Sequence, residues 1–172
     1  MSCQSNPIQS NPITMTCAAK LSTHQRHVLQ KLLTRESQIV DQCNAHISQY
    51  SRMMNELQCI LHASESNEVA LKCDEFIRSC AQLDCNSDTL HHDTVPSTAV
   101  QTAMECDCIC MQAACFRVLY KWTPYLDRLR MKLLKIKNMC ARPRANEGVN
   151  TCARIEKTVQ KILNLKTASH HH

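Results

Sequence analysis

The stretch Val40–Leu61 reads VDQCNAHISQYSRMMNELQCIL. Its apolar positions are Val40, Cys43, Ile47, Tyr50, Met54, Leu57 and Leu61, separated by steps of three or four throughout. A strand would alternate every second residue, whereas these steps place all seven side chains on one face of a helix. Neither Gly nor Pro occurs between Pro12 and Pro96, so nothing punctuates the chain across this stretch.

Working outward, the same period recurs. Upstream, Val28, Leu29, Leu32 and Leu33 form a further face, and Ser22 followed by Gln25 has the capping-box pattern that opens a helix. The polar run Thr34–Gln38 interrupts the apolar face and predicts a kink or break. Downstream, Asn67 is placed to cap a second helix with Val69, Cys73, Phe76, Cys80 and Leu83 on one side. Asn86–Pro96 is polar and reads as a loop. Ser97 or Thr98 then opens a third helix, with Val100, Met104, Cys108, Met111, Cys115, Val118 and Trp122 in phase. Thr123-Pro124 reads as N-cap and first position of a fourth, whose face is Leu126, Leu129, Leu133, Ile136 and Cys140. After a loop at residues 141–150, a fifth helix starts near Thr151 with Cys152, Ile155, Val159 and Ile162 aligned. The expected fold is all-α: a disulfide-stapled bundle of four to five amphipathic helices, one domain over residues 21–168. Ahead of it, the doubled motif Ser5-Asn6-Pro7-Ile8 and Ser10-Asn11-Pro12-Ile13 reads as an extended tail over residues 1–20. Residues 169–172 read as a tag remnant and Met1 as an added start before a mature domain.

Composition narrows the function classes. The 172 residues hold 13 Cys but one Gly and six aromatics. One glycine excludes the Gly-rich loops that cradle phosphates. No apolar run approaches the ~18–20 residues of a membrane span. The net charge of +5 is unevenly spread, because residues 1–116 carry seven Lys/Arg against twelve Asp/Glu and residues 117–172 carry thirteen against three. Such polarity fits a basic half that docks an acidic surface.

Cysteines fall on the helical faces themselves, at Cys43, Cys73, Cys80, Cys108, Cys115, Cys140 and Cys152. Thiols on facing stripes can meet across a helix–helix seam and cross-link a lean core. The reading is therefore an oxidising compartment and a secreted protein, with disulfide candidates at those seven and at Cys59, Cys85, Cys106 and Cys110. Cys3 and Cys17 could staple the tail. The most specific expectation is a Cys140–Cys152 bond closing the loop between the last two helices. Within the run Cys106-Asp107-Cys108-Ile109-Cys110, an unbroken helix would put Cys106 and Cys110 on one face and Cys108 with Cys115 on the other. One alternative is a Cu(I)-thiolate store, because soft thiolates select that ion. No paired Cys-x-x-Cys units of a zinc site occur. The leading reading expects neither metal nor cofactor.

Other chemistry is sparse. His91-His92-Asp93 with Asp88, and His24 with His27, read as solvated side chains. No nucleophile elbow, dinucleotide fingerprint or catalytic carboxylate pair is present, so the expectation is not an enzyme. Between residues 117 and 144, Arg117, Lys121, Arg128, Arg130, Lys132, Lys135, Lys137, Arg142 and Arg144 face a single acid, Asp127. Arg128, Lys132 and Lys135 form a stripe opposite the fourth helix's core face, flanked by Arg130 and Lys137. These five are the candidate partner-binding residues, for an acidic protein receptor or a sulfated glycan. Nucleic acid fits less well: Tyr120, Trp122 and Tyr125 do not alternate with base-reaching side chains, and no DNA-binding motif occurs.

In length, in its five helical stripes and in the stretch Cys140–Leu165, where a Cys-flanked loop leads into a basic amphipathic helix, the chain resembles helical cytokines. That resemblance implies receptor binding through exposed helix faces. The short Ala63–Ser66 link and the cysteine count depart from that pattern. The Cys106/Cys110 pair is also similar to the Cys-x-x-x-Cys of insect odorant-binding proteins, although their closely spaced last two cysteines have no counterpart here. Cysteine-rich secreted helical effectors of parasites or herbivores look similar too. The expected function is a secreted helical binding protein; the alternatives are a carrier with an apolar cavity for a small lipid, and the copper store.

Overall fold

The computed structural model describes residues 20–63, 65–85, 95–141 and 146–169. The doubled tail motif, Cys3, Cys17, the His91-His92-Asp93 group, Arg142, Arg144 and the terminal histidines lie outside them. Every regular element among the described residues is helical. They are α1 (Thr23–Leu61), α2 (Ser66–Ala81), α3 (Ser97–Glu105), α4 (Ile109–Phe116), a π-helical turn (Arg117–Trp122), α5 (Thr123–Ala141) and α6 (Gly148–Ser169). No helix among these residues is long and apolar enough to cross a membrane.

Helix α1 begins as its sequence dictates. The Ser22 N–H donates to Gln25 Oε1 at 2.9 Å and the Gln25 N–H to Ser22 Oγ at 3.1 Å, the reciprocal bonds of a capping box. The helix then runs for 39 residues without the break expected at Thr34–Gln38. Polar residues there are absorbed by partners: Arg35 is buried, and Glu36 accepts bonds of 2.5 and 3.2 Å from Arg117.

Contacts within the chain gather into two compact units. One comprises the chain up to Asp41 with Asp88–Pro124, and the other Gln42–Ser87 with Tyr125–His172. In the first, Val28, Leu29 and Leu32 of α1 bury against Ala99, Ala103, Met111, Ala114 and Cys115. The expected continuous third helix is interrupted here. Cys106 and Cys108 are extended, with ψ of 138° and 111°, and α4 starts afresh at Ile109. The Cys108 N–H lies 3.4 Å from Cys106 Sγ and the Gln112 side chain donates to the Cys106 carbonyl at 2.6 Å; such side-chain bonds compete with the helical ladder. The break resets the phase, so Ala99 and Ala103 face the core while Met104 is 56% exposed. It also removes the unbroken helix on which Cys106 and Cys110 were to share a face.

Pro124 does not open a new helix. Thr123 keeps helical torsions, and its N–H reaches back five residues to the Val118 carbonyl. Proline has no N–H to return to the residue four before it and its ring crowds that carbonyl; widening to a π turn lets the helix pass through.

In the second unit the helical periodicity of the sequence transfers almost unchanged to burial. Cys43, Ile47, Tyr50, Met54 and Leu57 of α1, and Cys73, Phe76 and Cys80 of α2, are buried. So are all five predicted positions of α5 and all four of α6. The Tyr50 hydroxyl donates to the Leu129 carbonyl, tying α1 to α5, and α2 packs against α6. The chain's single glycine sits at the start of α6, where a Cβ would lie 2.7 Å from Asp74 Oδ1. The close approach brings the Asp74 carboxylate to a helix N-terminus, which favours negative charge.

Candidate functional site

Helix α5 buries Leu126, Leu129, Leu133, Ile136 and Cys140, and that stripe fixes what its other faces present. Arg128, Lys132 and Lys135 are exposed, as predicted for a partner-binding stripe. Arg128 also lies over the Tyr125 ring, 5.9 Å from its centre. Arg130 and Lys137 are half-buried. Arg130 turns inward, its guanidinium 3.5 Å from Gln42 Oε1, and its charge is felt by Cys43 and His46. It serves the α1–α5 packing more than the outer face.

Two apolar residues interleave with the basic stripe and were not singled out by sequence reasoning. Met131 is 64% and Leu134 39% exposed. With Lys135, Asn138 and Met139 of α5 and Arg154 of α6 they line a solvent-open groove of about 470 Å³. Their signal was available, because Met131, Leu134 and Asn138 sit three and four residues apart and out of phase with the core stripe. Periodicity was read only for what it buries, so an apolar pair on the wrong face passed unnoticed. On α6, Arg154, Lys157 and Lys161 are exposed at spacings of three and four, extending the positive surface beyond the groove.

No disulfide joins the described cysteines. Cys43, Cys73, Cys80, Cys106, Cys108, Cys115, Cys140 and Cys152 are buried, Cys85 and Cys110 intermediate, and Cys59 exposed. The seven expected on apolar faces are thus all buried, but none is bonded to another. Cys140 and Cys152, expected to bond each other, are both buried and neither is in a disulfide. The Cys152 thiol donates to the Cys73 carbonyl at 3.8 Å, and the neighbouring Cys80 thiol holds Cys140 below its ordinary value. Among the described residues no three His, Cys, Asp or Glu side chains are grouped to hold a metal ion.

Burial sets the acid–base behaviour of this core. It pushes the Cys43 thiol up to about 11, with the nearby Arg130 charge opposing, and it likewise raises Tyr50. An unfolded chain releases the Cys43 proton near its ordinary value of 9.0, while the folded chain holds it to about 11. The stabilising preference is intact below the lower value and is lost as pH climbs through that window. Urea midpoints of the reduced protein should fall between about pH 8 and about pH 10.5; a flat profile would show that these groups are solvated.

No protein-family model, curated protein or solved structure matches this chain.

Proposed function

We propose that the protein is a secreted, disulfide-stapled helical bundle that works by binding an acidic protein surface through the outer face of α5 and the first turns of α6. The observation that carries this reading is the exposed Met131–Leu134 pair set beside Lys135 and Arg154 around one open groove. Apolar anchors with a charged rim are the composition of a docking site, and exposed apolar surface concentrated at one place is otherwise a liability. The surrounding charge speeds encounter with an acidic partner and rejects basic ones. A sulfated glycan would use the lysines and arginines but has no apolar group to seat against Met131 and Leu134. The cysteine content, 13 in 172 residues, supports the oxidising compartment, where closely placed thiols form and keep disulfides.

Defined probes separate these partners. An acidic amphipathic peptide with leucine or phenylalanine anchors should bind more tightly than an equally charged peptide without them, as read by fluorescence anisotropy. Changing Met131 and Leu134 together to Ser should erase that difference. Equal binding of both peptides, with strong retention on heparin, would instead assign the surface to glycans.

A further inference from the structure

Resting on the docking surface proposed above, we infer that its partner docks as an amphipathic α-helix, with apolar residues at steps of three and four and acidic residues beside them at the same steps. Helix α5 carries two apolar stripes. The inner one, Leu126, Leu129, Leu133, Ile136 and Cys140, is buried. At ~100° per residue Met131 falls on the opposite side of the helix, with Leu134 and Asn138 close to it. Met131 and Leu134 are 64% and 39% exposed. A surface helix needs one stripe to face its core. A second stripe is a seam for a further helix, whose side chains at i, i+3, i+4 and i+7 match its steps. From Met131 to Asn138 the seam runs two turns, ~10 Å, and Arg154 of α6 joins it in lining the groove.

Backbone chemistry disfavours an extended partner. A strand recognises a surface by pairing its peptide groups with a free sheet edge, and those groups are costly to bury without such pairing. Every regular element among the described residues is helical, and the N–H and C=O groups along the middle of α5 are used in its own ladder. A helix arrives with its backbone already bonded, so it can seat apolar side chains on Met131 and Leu134 without that cost. Charge sets what stands beside those side chains. Arg128, Lys132 and Lys135 follow the outer face of α5, and Arg154, Lys157 and Lys161 follow α6, all exposed and at steps of three and four. Asp127 is the only acid on α5. Carboxylates at the same steps on a docked helix meet these rows turn by turn, whereas a basic helix is repelled along its whole length.

The test uses the full chain and three acidic peptides, with affinities read by fluorescence anisotropy. The first places leucines at steps of three and four among glutamates. The second has the same composition, with leucine and glutamate alternating at the period of a strand. The third is the first with its central residue changed to proline, which breaks a helix. The first should bind about 10-fold or more tighter than either of the others and gain far-ultraviolet helical signal in the complex. Changing Met131 and Leu134 together to Ser should remove that advantage. If the second or the third bound as tightly as the first, the helical assignment would be overturned while the acidic docking surface stood. No binding by any of the three would overturn both.

Discussion

Reversing Arg128, Lys132 and Lys135 to Glu should weaken binding of the acidic, apolar-anchored peptide by about 100-fold or more at low salt, with the far-ultraviolet helical signal unchanged. All three side chains are exposed and none supplies core packing, so the folded state should tolerate their loss. The substitution takes the chain's net charge from +5 to −1, replacing attraction at the rim of the groove by repulsion. Because these charges are solvated, the deficit should shrink as added salt shortens the screening length toward ~3 Å at 1 M. Net charge alone is controlled by reversing Lys31, Arg52 and Arg78, which are also exposed but lie on α1 and α2. That variant should retain most of the affinity. Equal losses in the two triple variants would mean that the peptide responds to overall charge and not to the face of α5.

The second large effect is on stability. Phe76→Ala should destabilise the protein by about 3–5 kcal/mol and lower its melting temperature by on the order of 10 °C. Among the described side chains of α2, Cys73, Phe76, Ile77 and Cys80 are buried in the core, and Phe76 is the largest of them. Removing its ring leaves a cavity under α2 and takes away the largest of its buried side chains. The change should be visible locally as well: in the reduced protein, Cys73 and Cys80 should react with a thiol reagent many times faster than in the parent chain. Leu71→Ala is the matched control, since Leu71 is 60% exposed on the same helix and its truncation should be nearly neutral. An unaffected melting temperature for Phe76→Ala would show that α2 is held by something other than its buried face.

The all-α class and the core of the Tyr50 unit were legible because burial there is written as a helical period. Each of Leu126, Leu129, Leu133, Ile136 and Cys140 could be assigned inward from spacing alone, and so could Cys152, Ile155, Val159 and Ile162. Misreadings arose where backbone hydrogen bonding, not hydropathy, decides. The run from Cys106 to Cys108 leaves the helix because side-chain bonds to its backbone outcompete the ladder, and no apolar count registers that. At Pro124 the opposite occurred: a residue that usually starts a helix is carried through by a π turn. Thr34–Gln38 misled in a third way, since Glu36 finds Arg117 eighty-one residues away in sequence and a local reading cannot see it. For the proposed site, the exposure of Arg128, Lys132 and Lys135 was legible in the sequence and that of Met131 and Leu134 was not. The contact of the Cys152 thiol with the Cys73 carbonyl was hidden for the same reason as Glu36, since the two residues are 79 apart in sequence and meet only when α2 packs on α6.

The most direct test of the secreted, stapled reading is a free-thiol count on the full chain from its natural source, unreduced and denatured, by alkylation and intact mass. The account predicts about one to three free thiols. A count near all 13 cysteines would contradict it.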